Sequence, residues 1–443
     1  MTPRHRSVAL SALGSLALGA ALAPNTARAQ AAAAPRAVVA GIPVNYDEAK
    51  VGSYTLPDPL VMENGERVRT AEEWMRKRRP EIVRLFEENQ FGKTPGRPAE
   101  MTFGVFDRGT PALGGTAIRR QVTIYFTGDR TGPKMDLLIY LPAKARGPVP
   151  LLLNLSFVAN SSVVDDPGIR PDSVWGRDHT RVPAPEGGRF GRIDIAPFLA
   201  SGIGFATVYY GDIEPDFIGG IEKGGIRRAY LKPGQTQPAP DEWGAISAWA
   251  WGLSRAMDYL ETDPGVDAKR VALHGTSRLG KTVLWEGARD PRFAMVIASV
   301  SGEGGAALSR RNFGETVAHL TAPTRYPYQF AANYATYAHR VDELPVDGHM
   351  LVSLIAPRPL LLQAGSTDLW SDPKGAFLAA VAAGPVYRLL GQQDLGTDRM
   401  PAAGQPILHT LGYMMHEGGH GTFPQDWPVF LEFMKKYLLP AGR

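Results

Sequence analysis

Between residues 271 and 281 the chain reads Val-Ala-Leu-His-Gly-Thr-Ser-Arg-Leu-Gly-Lys, an apolar run that passes into Gly-x-Ser and then at once into a helical pattern. A serine hydroxyl becomes a usable nucleophile where a sharp strand-to-helix turn presents it above a sheet, and small neighbours let the backbone bend that far. The amide that follows, at the helix start, then faces the same point and can stabilise an oxyanion. Ser277 is the nucleophile this pattern predicts, although the second glycine of the usual Gly-x-Ser-x-Gly arrives one position late, at Gly280. A nucleophilic hydroxyl needs a base, usually a histidine, and that histidine needs an acid to orient it. His420 is the best base, lying after a strand-like run at residues 411–415 and before a helical pattern at about residues 427–438. Asp368 follows the apolar run that ends at Ala364 and is the acid of choice, with Asp372 and Asp394 less well placed and each open to a plain surface role.

The segment His416-Glu417-Gly418-Gly419-His420 also spells the His-Glu-x-x-His of zinc peptidases. Zinc binding of that kind needs both histidines one turn apart on a helix. Two central glycines cost roughly 1 kcal/mol each in a helix, and the residues before His416 read as strand. The expectation is therefore no metal and no organic cofactor, with His416 a packed or hydrogen-bonding residue near the base.

These side chains require elements to hold them. Val122, Ile124 and Phe126 alternate with Thr123, Tyr125 and Thr127, which predicts a half-buried strand, with residues 136–141 as its antiparallel neighbour. Near-continuous apolar runs at 149–155, 203–210, 271–274, 293–299 and 360–364 predict strands covered on both faces. Helical patterns at 243–260 and 279–289 lie between them, and the alternation argues for a mostly parallel sheet with helices on both faces, a three-layer α/β sandwich. Earlier, Thr70-Ala71-Glu72-Glu73 is a capping-box signal, and Pro80 restarts a helix with Ile82, Leu85 and Phe86 on one face. The reading divides the chain into a signal peptide (1–29), a leader and helical extension (30–100) and one catalytic domain (101–443). With the serine turn and the order Ser, acid, His, the whole reads as an α/β-hydrolase fold.

The 443 residues are 44% hydrophobic and 21% charged, ordinary for a globular enzyme. Arg4, His5 and Arg6 precede an apolar run over residues 8–23, and Ala27-Arg28-Ala29 supplies a small-x-small cleavage site. This predicts a cleaved export signal rather than a membrane anchor, because the run falls short of the ~20 apolar residues a spanning helix needs. Without residues 1–29 the chain carries 45 basic and 44 acidic residues, so nothing points to nucleic acid or, after cleavage, to a membrane. The absence of cysteine excludes a disulfide scaffold, thiolate metal sites and a cysteine nucleophile. The protein is expected in the periplasm or secreted.

Beyond residues 271–281, several further blocks occur in order: Ser301-Gly302-Glu303-Gly304-Gly305-Ala306-Ala307, Arg311-Asn312-Phe313-Gly314-Glu315, Asp368-Leu369-Trp370-Ser371-Asp372-Pro373, and Gly419-His420 with Asp426-Trp427. Together they resemble the glucuronoyl esterases, carbohydrate esterase family 15, over most of residues 90–440. The resemblance implies cleavage of esters of (4-O-methyl)glucuronic acid, such as those joining glucuronoxylan to lignin. It makes Ser277 the nucleophile, His420 the base and Arg278 a helper of the oxyanion. Lys281 and Glu315 resemble the residues that hold the sugar hydroxyls, and Trp370 the aromatic beside the ring; read alone, they are two solvated charges and a core residue. Fungal members carry the triad glutamate where this chain has Val300, so the acid must come from elsewhere. Asp368 resembles the bacterial alternative, and Glu303 stands second. The rival readings are an acetylxylan or other carbohydrate esterase on the same fold, a silent carbohydrate-binding scaffold, and the zinc peptidase.

Overall fold

The computed structural model describes residues 1–2, 37–185 and 190–440. The chain forms two units, Met1–Pro35 and Arg36–Arg443, and every element below belongs to the second. Residues 3–29, most of the expected export signal, lie outside the described residues.

Helix α1 (Arg79–Phe86) continues a helical run that begins at Ala71, with Pro80 in its own first turn. Just before it, Thr70 and Glu73 form the expected capping box: the Glu73 amide donates to Thr70 Oγ1 at 3.1 Å, and the Thr70 amide to Glu73 Oε2 at 3.2 Å. Nine strands follow in one sheet: β1 (Thr102–Ala112), β2 (Ala117–Tyr125), β3 (Lys134–Pro142), β4 (Val149–Ser156), β5 (Gly204–Tyr209), β6 (Val266–Thr276), β7 (Met295–Ser299), β8 (Leu360–Gly365) and β9 (Leu411–His416). Their spatial order is β9-β8-β7-β6-β4-β5-β3-β2-β1. From β9 to β5 every pairing is parallel, and the β5-β3, β3-β2 and β2-β1 pairings are antiparallel. The longer helices are α2 (Ala245–Leu260), α3 (Arg278–Arg289), α4 (Pro373–Leu389) and α5 (Asp426–Leu438).

The period-2 alternation of a strand divides each parallel strand between two cores. Leu151, Leu153, Val271, Leu273, Val296 and Leu362 join the core that holds α2, α3 and α4. Leu152, Ala272, Ile297, Leu361 and Met414 join a second core with Phe430, Phe433 and Met434 of α5. Both faces of the strands are thus dry, which is why they read as unbroken apolar runs. Leu85, Phe86 and Phe91 belong to the first core, and Phe91 stacks on Trp285 of α3 with centroids 4.6 Å apart. The helical segment around residues 70–91 therefore braces the helix that starts at Ser277.

Three features depart from the expectation. Strand β2 is buried on both faces rather than half-buried, because its polar side is covered by the loop at residues 166–170. Arg119 pairs with Asp107 and Asp166, and Arg170 Nη2 donates to Thr123 Oγ1 at 3.0 Å. Strand β1, at the sheet edge, was not anticipated. Nor was α4, whose interior Pro385 reads as a breaker in sequence. In place, Phe377, Ala380, Ala383 and Tyr387 are buried along the same helix, and that packing holds it together across the proline.

Candidate active site

The site is assembled at the C-terminal ends of β6, β7, β8 and β9. Ser277 sits between β6 and α3 with φ 61° and ψ −126°, conformations a non-glycine residue adopts only under constraint. Its amide donates to Ser299 O at 2.8 Å, tying the turn to the end of β7. The two glycines are needed because backbone comes close: a Cβ at Gly275 would lie 2.3 Å from Leu279 O, and one at Gly280 would lie 2.7 Å from Ser299 O. The late glycine is thus the residue at which α3 crosses the end of β7.

His420 lies in the loop after β9. Its Nε2 is 2.8 Å from Ser277 Oγ and its Nδ1 is 2.7 Å from Asp368 Oδ2. Ser371 Oγ lies 3.1 Å from the same Nδ1, a second partner that the sequence reading did not single out. The Asp368 side chain is 5% exposed against 43% for His420, so the carboxylate is sheltered while the imidazole opens to solvent.

Arg278, the residue after Ser277, is the first of α3, where its amide has no intrahelical acceptor. The guanidinium pairs with Asp216. Asp216 also accepts from Tyr210 OH at 3.0 Å, Tyr328 OH at 2.8 Å and Gln329 Nε2 at 2.8 Å. Burial weakens the Arg278 cation, but Asp216 together with Tyr210 and Tyr326 outweighs it and raises the pKa above the usual range. Asp216 sits in the unremarkable run Glu214-Pro215-Asp216-Phe217, with no motif to mark it.

Lys281, on α3, is 4% exposed, and Glu315 is 8% exposed. Burial pushes the Lys281 ammonium below its ordinary range and Glu315 above its own, while their mutual attraction opposes both shifts. Glu315 Oε1 accepts from Arg325 Nη2 at 2.8 Å, and its amide donates to Trp370 O at 2.8 Å. Trp370, just past Asp368, is half-buried rather than core. The chain thus brings Lys281, Glu315 and Trp370 into one neighbourhood: two buried polar groups and an aromatic edge.

The other candidates are placed elsewhere. Glu303 is buried, accepts from Ser309 Oγ at 2.6 Å and from Tyr334 OH at 3.0 Å, and makes no contact with His420. Burial pushes its carboxyl up to about 8. Val300 occupies a left-handed turn with φ 42°. Asp372 caps α4, accepting from the Gly375 amide at 2.9 Å, and pairs with Arg311; burial pushes it up to about 6. Asp394 pairs with Arg388. His416 closes β9, so His416 and His420 do not share a helix. Its Nδ1 is 2.9 Å from Asp426 Oδ2 and its Nε2 is 3.0 Å from Gly419 O, as a hydrogen-bonded supporting residue would be. Among the described residues no cluster of His, Cys, Asp or Glu has the makings of a metal site.

A family model described as "Glucuronyl esterase, fungi" matches residues 238–391. The chain is 46% identical over 402 residues to a carbohydrate esterase of an unknown prokaryotic organism, covering 89% of this chain and 92% of that protein. Among solved structures it is similar to a glucuronoyl esterase from Solibacter usitatus, at 48% identity and TM-score 0.84, covering 88% of this chain and 99% of that one. It is also similar to a CE15 glucuronoyl esterase from Teredinibacter turnerae, at 34% identity and TM-score 0.75, covering 89% and 92%.

Proposed function

From its membership of carbohydrate esterase family 15, the glucuronoyl esterases, we infer that this chain is a carboxylic ester hydrolase that cleaves esters of glucuronic acid, with Ser277 as nucleophile. The observation that carries the assignment of roles is the single imidazole, His420, within hydrogen-bonding distance of both Ser277 Oγ (2.8 Å) and Asp368 Oδ2 (2.7 Å).

The reaction is a two-step acyl transfer. Ser277 Oγ attacks the ester carbonyl as His420 Nε2 takes its proton, and Asp368 holds the imidazole in the tautomer that can accept it. The tetrahedral oxyanion meets the Arg278 amide and guanidinium; one such donor is typically worth about 2.7–4 kcal/mol to the transition state. Collapse breaks the bond to the alcohol, which leaves with the proton from His420. Water, deprotonated by His420, then attacks the glucuronoyl-serine ester, and the uronic acid departs as Ser277 regains its proton. Lys281 and Glu315 hold the sugar hydroxyls, where charge-assisted hydrogen bonds in a partly dry pocket are strong. Trp370 lies beside the sugar ring. The substrate in nature is a glucuronoxylan or lignin–carbohydrate ester, and the segment at residues 1–29 exports the enzyme to the periplasm or beyond. No helix among the described residues is long and apolar enough to cross a membrane.

The test is turnover of a methyl or benzyl glucuronate ester beside an acetyl ester, for wild type and Ser277→Ala. Uronate-ester turnover that vanishes in the variant is expected. Turnover of the acetyl ester alone would keep Ser277 but overturn the substrate.

A further inference from the structure

Five side chains alternate between aromatic ring and guanidinium along the site. The Arg325 guanidinium carbon lies 5.2 Å from the Trp370 ring centroid and 4.8 Å from that of Tyr326. The Arg278 guanidinium carbon lies 5.0 Å from the same Tyr326 centroid and 5.6 Å from that of Phe157. Each cation also has its own carboxylate, Glu315 for Arg325 and Asp216 for Arg278. Tyr326 is the only member of the row to face both arginines, one beside the oxyanion and one beside the sugar pocket.

We propose that Tyr326 is a positioning residue that couples the oxyanion arginine to the sugar-binding pair; this rests on the roles assigned above to Arg278, Glu315 and Trp370. A guanidinium on a long flexible stem is orientated by what its flat face lies against as well as by its carboxylate, and an aromatic face supplies that platform without competing for the fork of N–H donors. Half-buried Tyr326 does so twice, whereas its hydroxyl makes no hydrogen bond to any described residue. The ring and not the hydroxyl carries the role. Loosening the ring frees Arg278, which lowers kcat, and frees Arg325 and with it Glu315, which raises KM for the uronate. The outer ends of the row are braced independently, Phe157 by Tyr210 with centroids 5.3 Å apart and Trp370 by His319 at 5.2 Å, so the effect is a loss of alignment rather than a collapse.

The experiment measures kcat and KM on methyl glucuronate for Tyr326→Phe, for Tyr326→Leu, and for enzyme with mono- and trifluorinated phenylalanine at position 326. Fluorination weakens the ring's attraction for a cation and largely preserves its shape, so it moves the proposed role and leaves a merely structural one alone. Tyr326→Phe is expected within about twofold of wild type, with kcat/KM falling stepwise to about tenfold below it on trifluorination, through both lower kcat and higher KM. Tyr326→Leu should match or exceed that loss. If Leu unfolds the protein, the fluorinated series still decides. A flat response to fluorination in an active enzyme overturns the proposal, as does Tyr326→Phe proving as damaging as trifluorination. Wild type that fails to turn over the uronate ester overturns the substrate reading and this proposal with it.

Discussion

The turns after β7 and β8 leave neighbouring parallel strands at the same edge of the sheet, and each carries a carboxylate three residues beyond its strand or a little more. After β8 the chain delivers Asp368 to His420 Nδ1 at 2.7 Å and Ser371 to the same atom at 3.1 Å. After β7 it bends through Val300 at φ 42°, and Glu303 ends against Ser309 and Tyr334, fully buried and pushed up to about 8. One turn aims its carboxylate at an imidazole at the mouth of the site. The other folds its carboxylate into the protein, where two hydroxyls are its partners and the neutral form is favoured. A carboxylate near a strand end is therefore not yet a triad acid: reach to the imidazole decides it, and so does the environment of the charge.

The sharpest break of this comparison is Asp368→Asn, expected to lower kcat by about 10⁴ because the amide favours the wrong imidazole tautomer; steady-state turnover of a glucuronate ester checks it, and a small effect would return the acid role to the turn after β7. In that background Val300→Glu should recover about tenfold, since position 300 is where the fungal pattern places its acid and a positive φ strains a β-branched valine more than an unbranched residue. No recovery would show that the β7 turn cannot aim a carboxylate at His420. Ser371→Ala should lower kcat by about threefold to tenfold, the value of one neutral hydrogen bond to the imidazole, with KM unchanged.

Glu303→Gln is expected to leave kcat within about twofold, since the group is neutral and away from the base at the pH of assay. Its effect is on stability. The folded protein holds the Glu303 proton up to about pH 8, against 4.5 for an ordinary carboxylate, so this contribution to stability is complete below the ordinary range and is lost as pH rises toward 8. The wild-type Tm should decline over that window more steeply than that of Glu303→Gln, and parallel Tm profiles would remove Glu303 from the account. Glu286, also buried and pushed up to about 8, adds to the decline in both proteins, so only the difference between them is diagnostic.

Much of this was legible in the residues. Apolar runs marked five of the six parallel strands, and a strand-like run the sixth, because burial on both faces leaves few polar positions, and Gly-x-Ser between a strand and a helix marked Ser277 because few backbones make that turn. The order Ser, Asp, His along the chain pointed to Asp368 and His420. The glycines of residues 416–420 argued against a helix there, and the strand that ends at His416 agrees. The reading missed edge strand β1, the polar cover on β2, α4 across Pro385, Asp216 behind Arg278, and Ser371 on the imidazole. The cover on β2, Asp216 and Ser371 have no local signal because each depends on a partner 47 to 62 positions away, whereas β1 pairs only with its hairpin neighbour β2.

The sequence by itself determined the alternation of strands and helices, the strand-to-helix turn at Ser277 and which residue types were at hand, because backbone preference and burial act over a few residues. Only the tertiary structure decided which carboxylate meets the histidine, which carboxylate holds Arg278, and that Tyr326 lies against two arginines at once. Those outcomes rest on contacts between residues up to 62 positions apart, and a contact of that kind is set by how strand ends and loops pack, not by any local pattern.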